Sequence, residues 1–297
     1  MKNVRIGVKK EPMSKWKRRL LALLTAAALL LSLGAGSALA VSRDYPSLRV
    51  YVDGLLTARA YTKDGEVYLS PADICACLGL ETEESYEPRS QRTAIRGQNL
   101  VFDAENGYPY LSVNGRYLYN ESGFLYTDGR SFFPLPVIEK MFNARGTLSV
   151  DGDRLDLELR EAELLQGWDH YYRDTYGADN VLWLCRIISA ESRDQPFAGM
   201  IGVGNVVLNR VESDMFPDTI FDVVFDTHNG VQFSPVIDGT IYKPASDRAV
   251  IAACLCLEGY STVGESLFFA SPSLSDITWL QENYTYVTTI GGHVFYK

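Results

Sequence analysis

Glu191 is the residue whose placement could do chemistry. It ends a segment that reads Val-Leu-Trp-Leu-Cys-Arg-Ile-Ile-Ser-Ala-Glu from Val181 onward. Only Arg186 and Ser189 form a polar strip there, so the spacing predicts a central helix that is apolar on most sides, capped by Asp179 or Asn180. Glu191 falls off that strip, between the directions of Leu184 and Ile187. Burial against apolar neighbours disfavours a carboxylate and raises its pKa. A glutamic acid kept protonated near neutral pH can donate to a leaving-group oxygen. The competing reading is a helix-end carboxylate that bends out to water, and a lone Glu does not separate the two.

Ordinary glycoside hydrolysis uses a second carboxylate about 5 to 9.5 Å from the first. Asp194, Glu212, Asp214 and Asp238 are the acidic residues open to that role. Other chemistries fit less well. A zinc amidase needs several His and acidic ligands, and the three histidines, His170, His228 and His293, are scattered. Cys185 lies mid-helix among apolar residues, which would suppress a thiolate. No metal or cofactor is expected.

A second helix must stand beside Glu191. Pro196 starts it, and it runs from Phe197 to about Val211 with Gly199, Gly202 and Gly204 inside. Each glycine costs about 1 kcal/mol relative to Ala. A helix carrying three of them is expected to pack its backbone closely against a neighbour. The G-x-x-G-x-G spacing, with no strand leading in, is not a dinucleotide loop. Asn205 and Asn209 share one face of this helix.

The run from Ile187 through Glu191, Arg193, Pro196, Gly199, Asn205, Asn209 and Arg210 resembles the core motif of the SleB/CwlJ-type cell-wall hydrolases, which include the spore-cortex-lytic enzymes. Further motifs follow in order. They are Phe216-Pro217, Gln232-Phe233-Ser234-Pro235-Val236, a helix from Asp247 to Gly259, Leu267-Phe268-Phe269 with Pro272, and Ile290-Gly291-Gly292-His293-Val294-Phe295-Tyr296. The resemblance covers Asp179 to Tyr296. It implies an α+β, lysozyme-like catalytic domain over residues 163–297, acting on peptidoglycan glycan strands. Glu191 corresponds to the catalytic glutamate. The resemblance implies a lytic transglycosylase giving 1,6-anhydro-N-acetylmuramic acid ends. A muramidase- or glucosaminidase-type hydrolase, an amidase and a non-catalytic wall-binding protein are the alternatives.

Substrate contacts are expected from Gln232, Ser234, Asn205, His293 and Phe269. Pro235 should hold Gln232 and Ser234 extended; turn chemistry for these two, structural bonds to loops for Asn205 and Asn209, and a structural role for His293 are the competing readings. The sequence departs from the pattern at two functional places. The family's second acid falls on Gln195, which can be neither base nor nucleophile, so a one-carboxylate mechanism fits better. The usual aromatic-Asn-Pro reads Phe269-Ala270-Ser271-Pro272, which leaves that Asn's sugar contact without a counterpart.

Residues 46–159 read as a β-rich domain with an internal repeat. Val52-Asp53-Gly54, Lys63-Asp64-Gly65 and a helix opened by Ser70-Pro71 recur as Val113-Asn114-Gly115, Thr127-Asp128-Gly129 and a helix opened by Pro134. Leu148 to Leu157 closes it as a hairpin. This region is similar to the copper amine oxidase N-terminal-like domain, a repeat module of exported wall proteins. That resemblance implies wall attachment or spacing and no copper. Arg160 to Leu165 reads as a helical link, followed by the aromatic residues Trp168, Tyr171, Tyr172 and Tyr176.

Residues 1–40 read as a secretory signal peptide. A basic stretch (Lys15, Lys17, Arg18, Arg19) precedes an apolar run, Leu20 to Leu33, and the small-residue site Ala38-Leu39-Ala40. The expected location is outside the membrane, at the cell envelope or with the spore, with no stable insertion after cleavage. Taking eight basic residues and one Glu from the chain's 28 and 37 leaves 20 and 36, a net charge of −16. Such a surface argues against nucleic acid, whose affinity comes from cationic contacts. The five cysteines include two C-x-C pairs on predicted helices. Residues i and i+2 point apart there, so the thiols are expected as buried small hydrophobes.

Overall fold

The computed structural model describes residues 45–149, 151–159, 164–168, 170–228 and 230–297. The leader expected over residues 1–40 and most of the link at 160–165 lie outside these. The described chain forms two compact units.

The first unit takes residues up to Pro109 and from Asn120 to Gln166. Its strands and helices are β1 (Ser47–Val52), β2 (Leu55–Lys63), β3 (Glu66–Leu69), α1 (Pro71–Cys77), β4 (Thr82–Glu87), β5 (Arg92–Gly97) and β6 (Leu100–Glu105). After β7 (Tyr110–Val113) and β8 (Arg116–Tyr119), which belong to the second unit, come β9 (Leu125–Thr127), β10 (Arg130–Pro134), α2 (Leu135–Phe142), β11 (Ala144–Leu148) and β12 (Arg154–Leu159). One sheet has the order β11-β12-β1-β2-β3-β10-β9. Leu48, Val50 and Val52 alternate inward along β1. Ser70 caps α1 by accepting from the Asp73 amide.

The repeat is visible in the turns. Asp53-Gly54, Asp64-Gly65, Asn114-Gly115 and Asp128-Gly129 all have two successive positive φ angles. That is the backbone of a two-residue hairpin whose twist matches its strands. The copies meet where β3 pairs antiparallel with β10, Leu69 against Phe133. They differ where the long β2 becomes two short strands, β8 and β9, with Gly123 at positive φ between them.

The second unit takes Tyr110–Tyr119 and Gly167–Lys297. The β7–β8 hairpin, which the sequence reading places inside a continuous 46–159 domain, therefore groups with the C-terminal chain. The rest comprises α3 (Tyr171–Tyr176), α4 (Ala178–Ser192), α5 (Phe197–Val211), α6 (Ile220–Phe225), α7 (Ser234–Asp238), a 3-10 turn Thr240–Tyr242, α8 (Asp247–Leu257), β13 (Phe268–Ala270), α9 (Thr278–Asn283), β14 (Tyr286–Ile290) and β15 (His293–Tyr296). Helices and an antiparallel sheet of order β13-β15-β14 make this unit α+β.

Its core joins Leu184, Ile187 and Ile188 of α4 to Met200, Val203 and Val207 of α5 and to Ala249, Ala252 and Leu255 of α8. The glycines of α5 are where backbones approach. A Cβ at Gly204 would sit 2.7 Å from both Cys256 Sγ and Ile188 Cδ1, and one at Gly202 would sit 2.8 Å from Phe295 Cζ. Cys75, Cys185, Cys254 and Cys256 are buried free thiols.

Candidate active site

Helix α4 starts earlier than its capping residues suggest. Gly177 precedes it, and the Asn180 side chain donates back to the Tyr176 carbonyl instead of capping. Nor is α4 buried all round, because Leu182 is 41% exposed. The expected polar strip is split. Ser189 is buried, and its hydroxyl accepts the Ser246 amide at the start of α8. Arg186 instead lies over the Trp183 ring.

Glu191 is the penultimate residue of α4 and is mostly withdrawn from water. Burial pushes its carboxyl up to about 7, and the neighbouring Asp238 carboxylate pushes in the same direction. Among the described residues, none hydrogen-bonds this carboxyl. A proton is thus held near neutral pH by a group with nothing else to give it to.

One turn beyond, Gln195 fastens the sheet to this corner. Its Oε1 accepts the Gly292 amide at 2.8 Å. Gly291 and Gly292 form the two-residue loop between β14 and β15, with Gly291 at φ +58°. A Cβ at Gly291 would come 2.4 Å from Gln195 Oε1 and 2.5 Å from Pro196 Cδ. Only glycine lets the loop sit this close.

His293 follows the loop. It is buried, its Nδ1 has no hydrogen-bond partner among the described residues, and burial lowers its pKa. The ring lies 5.1 Å from Phe269, which also faces Phe233 at 6.3 Å. Residues distant in sequence, Phe233, Phe269 and His293, are thereby one cluster. Gln232 precedes Phe233, and its side chain bridges Arg210 Nη1 and the Gly230 carbonyl. Ser234 is exposed, but it is not extended. It is the first residue of α7, and the extended residue is Phe233. Pro235 occupies a first-turn position, where its missing N–H costs nothing.

Asn205 does a different job from the expected substrate contact. It is buried, its Nδ2 donates to the Tyr260 carbonyl and its Oδ1 accepts the Thr262 amide. Both ends of the amide fix the loop after α8. Asn209 similarly donates to the Gly264 and Ser266 carbonyls.

Two functional candidates escaped the sequence reading or were left open by it. Arg210 is buried beneath Phe216, Phe233 and Phe268 and donates to the Leu267 carbonyl at 2.8 Å. Burial pulls its pKa down to about 10. A cation on an otherwise apolar helix was the signal for it. The acidic residues considered as partners, Asp194, Glu212, Asp214 and Asp238, are all exposed, and of the four Asp238 is the one whose charge adds to burial in raising the Glu191 pKa. Its signal was the Asp238-Gly239-Thr240 turn.

Residues 194–296 match the family model for cell wall hydrolases. The match opens three residues after Glu191. Spore cortex-lytic enzymes of Bacillus cereus and Oceanobacillus iheyensis are 30% and 29% identical over 122 residues, 41% of this chain and 46% and 43% of theirs. The chain thus spans less than half the length of these curated relatives. The chain is also similar to the catalytic domain of the germination-specific lytic transglycosylase SleB from Bacillus anthracis. That alignment has 29% identity and a TM-score of 0.39, and covers 42% of this chain and 98% of that one.

Proposed function

We propose that this protein cleaves the glycan strand of peptidoglycan as a lytic transglycosylase, with Glu191 as acid and then base. The observation that carries the reading is a largely buried carboxyl near pKa 7, free of hydrogen bonds, at the edge of a cell wall hydrolase domain. Protonated Glu191 gives its proton to the glycosidic oxygen as the bond to the anomeric carbon of N-acetylmuramic acid breaks. The resulting carboxylate takes the C6 hydroxyl proton as O6 bonds to that carbon. The product is a 1,6-anhydro sugar, Glu191 ends protonated and no water is consumed. A carboxyl near pKa 7 suits both halves, since proton transfer is most efficient near the working pH.

Gln232, Ser234, Phe269 and His293 are the candidate sugar contacts, with Phe269 offering an aromatic face. Gln195 serves to hold the loop before His293. The protein is read as exported, acting at the cell envelope or the spore cortex, with its first unit as a wall-attachment or spacing module. No helix among the described residues is long and apolar enough to cross a membrane.

Digestion of purified peptidoglycan followed by mass spectrometry tests the reading. Anhydro-muropeptides are expected, and Glu191→Gln should abolish them. New reducing ends would replace it with hydrolysis, and free stem peptides with an amidase. Intact sacculi with retained binding would replace catalysis with wall binding.

A further inference from the structure

A patch of aromatic rings stands two turns before Glu191 on the same helix. Trp183 of α4 meets three rings at steep angles. They are Phe221 at 5.7 Å and Phe225 at 4.9 Å, both of α6, and Tyr242 of the 3-10 turn at 6.2 Å. Phe221 and Tyr242 remain 46% and 59% exposed. Single exposed apolar residues are ordinary, but rings gathered side by side mark a contact surface.

The charge beside the rings narrows what that surface touches. Arg186, one turn after Trp183, lays its guanidinium 5.1 Å from the Trp183 ring centre. It is half-exposed, and no carboxylate among the described residues pairs with it. Acids are not scarce, since the chain holds 37 acidic residues against 28 basic ones. Stacking on an aromatic face orients a guanidinium and leaves its N–H fork open to a carboxylate. Exposed rings beside such a fork suit a sugar that carries an acid group. Peptidoglycan is such a polymer, because alternate sugars bear a lactyl group extended by a peptide with carboxylates.

The patch is continuous with the candidate active site. After Trp183, the residues of α4 that are not buried are Arg186, Ala190 and Glu191. Arg186 and Ala190 stand three and seven positions beyond Trp183, which keeps them on its face of the helix. Glu191 follows directly. Eight residues of helix separate Trp183 from Glu191, about 12 Å along the axis. A single pyranose does not reach that far. The chain beside α4 runs the same course. It leaves the candidate sugar contacts Gln232 and Ser234, turns at Gly239 and brings Tyr242 against Trp183 before the Ser246 amide bonds Ser189.

We propose that Trp183, Arg186, Phe221 and Tyr242 form a distal subsite for the uncleaved part of the glycan strand. Phe221 and Tyr242 take the face of a saccharide, Trp183 holds the two rings in place, and Arg186 pairs with a carboxylate of the stem peptide. The inference rests on the glycan-cleaving reading above and extends it from the bond that is cut to the strand that carries it.

The test compares wild type with Tyr242→Ala, Arg186→Gln and Arg186→Lys, each checked for folding by thermal melting. The substrates are long peptidoglycan strands and the shortest fragments that are cleaved, with and without stem peptides. On long strands Tyr242→Ala should raise KM about three- to tenfold and leave kcat unchanged. The effect should shrink as the strands shorten. Arg186→Gln should raise KM up to about fivefold on peptide-bearing strands and leave peptide-free strands unaffected, and Arg186→Lys should keep part of the affinity. An unchanged KM in Tyr242→Ala on long strands overturns the proposal. An equal rise at every length does so too, because a distal subsite acts only on strands that reach it. A changed oligomeric state in light scattering with KM unaffected would give the patch to a second copy of the chain. A local probe needs no cleavage. In the Glu191→Gln protein the indole N–H signal of Trp183, assigned through Trp183→Phe, should shift when long strands are added, and an unmoved signal again overturns the proposal. Were wild type inert on peptidoglycan, the glycan-cleaving reading would fall, while the Trp183 signal would still decide whether a strand lies on the patch.

Discussion

Arg116 and Glu258 form a two-pronged ion pair, with Nε at 2.7 Å and Nη2 at 2.6 Å from the two carboxylate oxygens. The Glu258 side chain is 4% exposed. Tyr172 donates to the same carboxylate and accepts the Tyr117 amide, Tyr171 lies under the guanidinium and Tyr119 stacks on Tyr260 at 3.9 Å. These contacts seat the β7–β8 hairpin on the C-terminal end of α8, within the second unit.

Removing one partner of a buried pair strands the other. Arg116→Ala should therefore destabilise the second unit by about 3 to 5 kcal/mol, read by chemical denaturation. A fragment that begins at residue 167 lacks the hairpin and should melt well below the full chain. Equal melting would show that the hairpin is dispensable.

Glu191 makes a prediction opposite in sign to its catalytic one. Its folded pKa, about 7, lies above the ordinary 4.5. The folded state binds the proton more tightly than the unfolded chain, so the stability it contributes is full below pH 4.5 and declines as pH rises through 7. Glu191→Gln removes that penalty. The variant should match wild type near pH 4 and exceed it by about 2 to 3 kcal/mol at pH 8, while losing activity. Denaturation at the two pH values measures this.

Gly204→Ala should destabilise even though Ala favours helices. The propensity gain is about 1 kcal/mol, but the new methyl meets Cys256 Sγ and Ile188 Cδ1 at 2.7 Å. Overpacking costs about 1 to 3 kcal/mol. A net loss of stability in urea melts is expected, and a gain would show that α5 and α8 can part.

Asn205→Ala should act on stability and leave KM for peptidoglycan alone. It strands the Thr262 amide and the Tyr260 carbonyl, at a cost of about 1 to 3 kcal/mol. A raised KM with unchanged melting would restore the residue to the substrate site.

Gln195→Ala should lower kcat/KM without shifting the pH profile, because it frees the Gly291-Gly292 loop before His293 and leaves the charges untouched. A displaced alkaline limb would mean that Gln195 acts on Glu191 directly. Steady-state kinetics across pH separates the two.

Local rules made much of this chain readable. The Asp-Gly and Asn-Gly turns of the repeat carry their own backbone preference, so β1–β2 and β7–β8 were legible as hairpins. Ser70-Pro71 and Pro196 announced their helices, and the glycines of α5 announced close packing. The helix pattern put Glu191 off the polar strip, and apolar neighbours alone imply a raised pKa. These properties depend on residues within a few positions of one another.

Tertiary structure decided what depends on distant neighbours. Which side of Asn205 is consumed depends on Tyr260 and Thr262. That Gln195 is a clamp depends on Gly292, and the gathering of Phe233, Phe269 and His293 depends on β13 and β15 lying side by side. Part of the upward push on the Glu191 pKa comes from Asp238, 47 positions later. The β7–β8 hairpin reads as part of one repeat in sequence, yet it buries its arginine against α8. Periodicity reports which face of an element is apolar. It cannot report which partner meets that face, because the partner is selected by packing and charge across the whole fold.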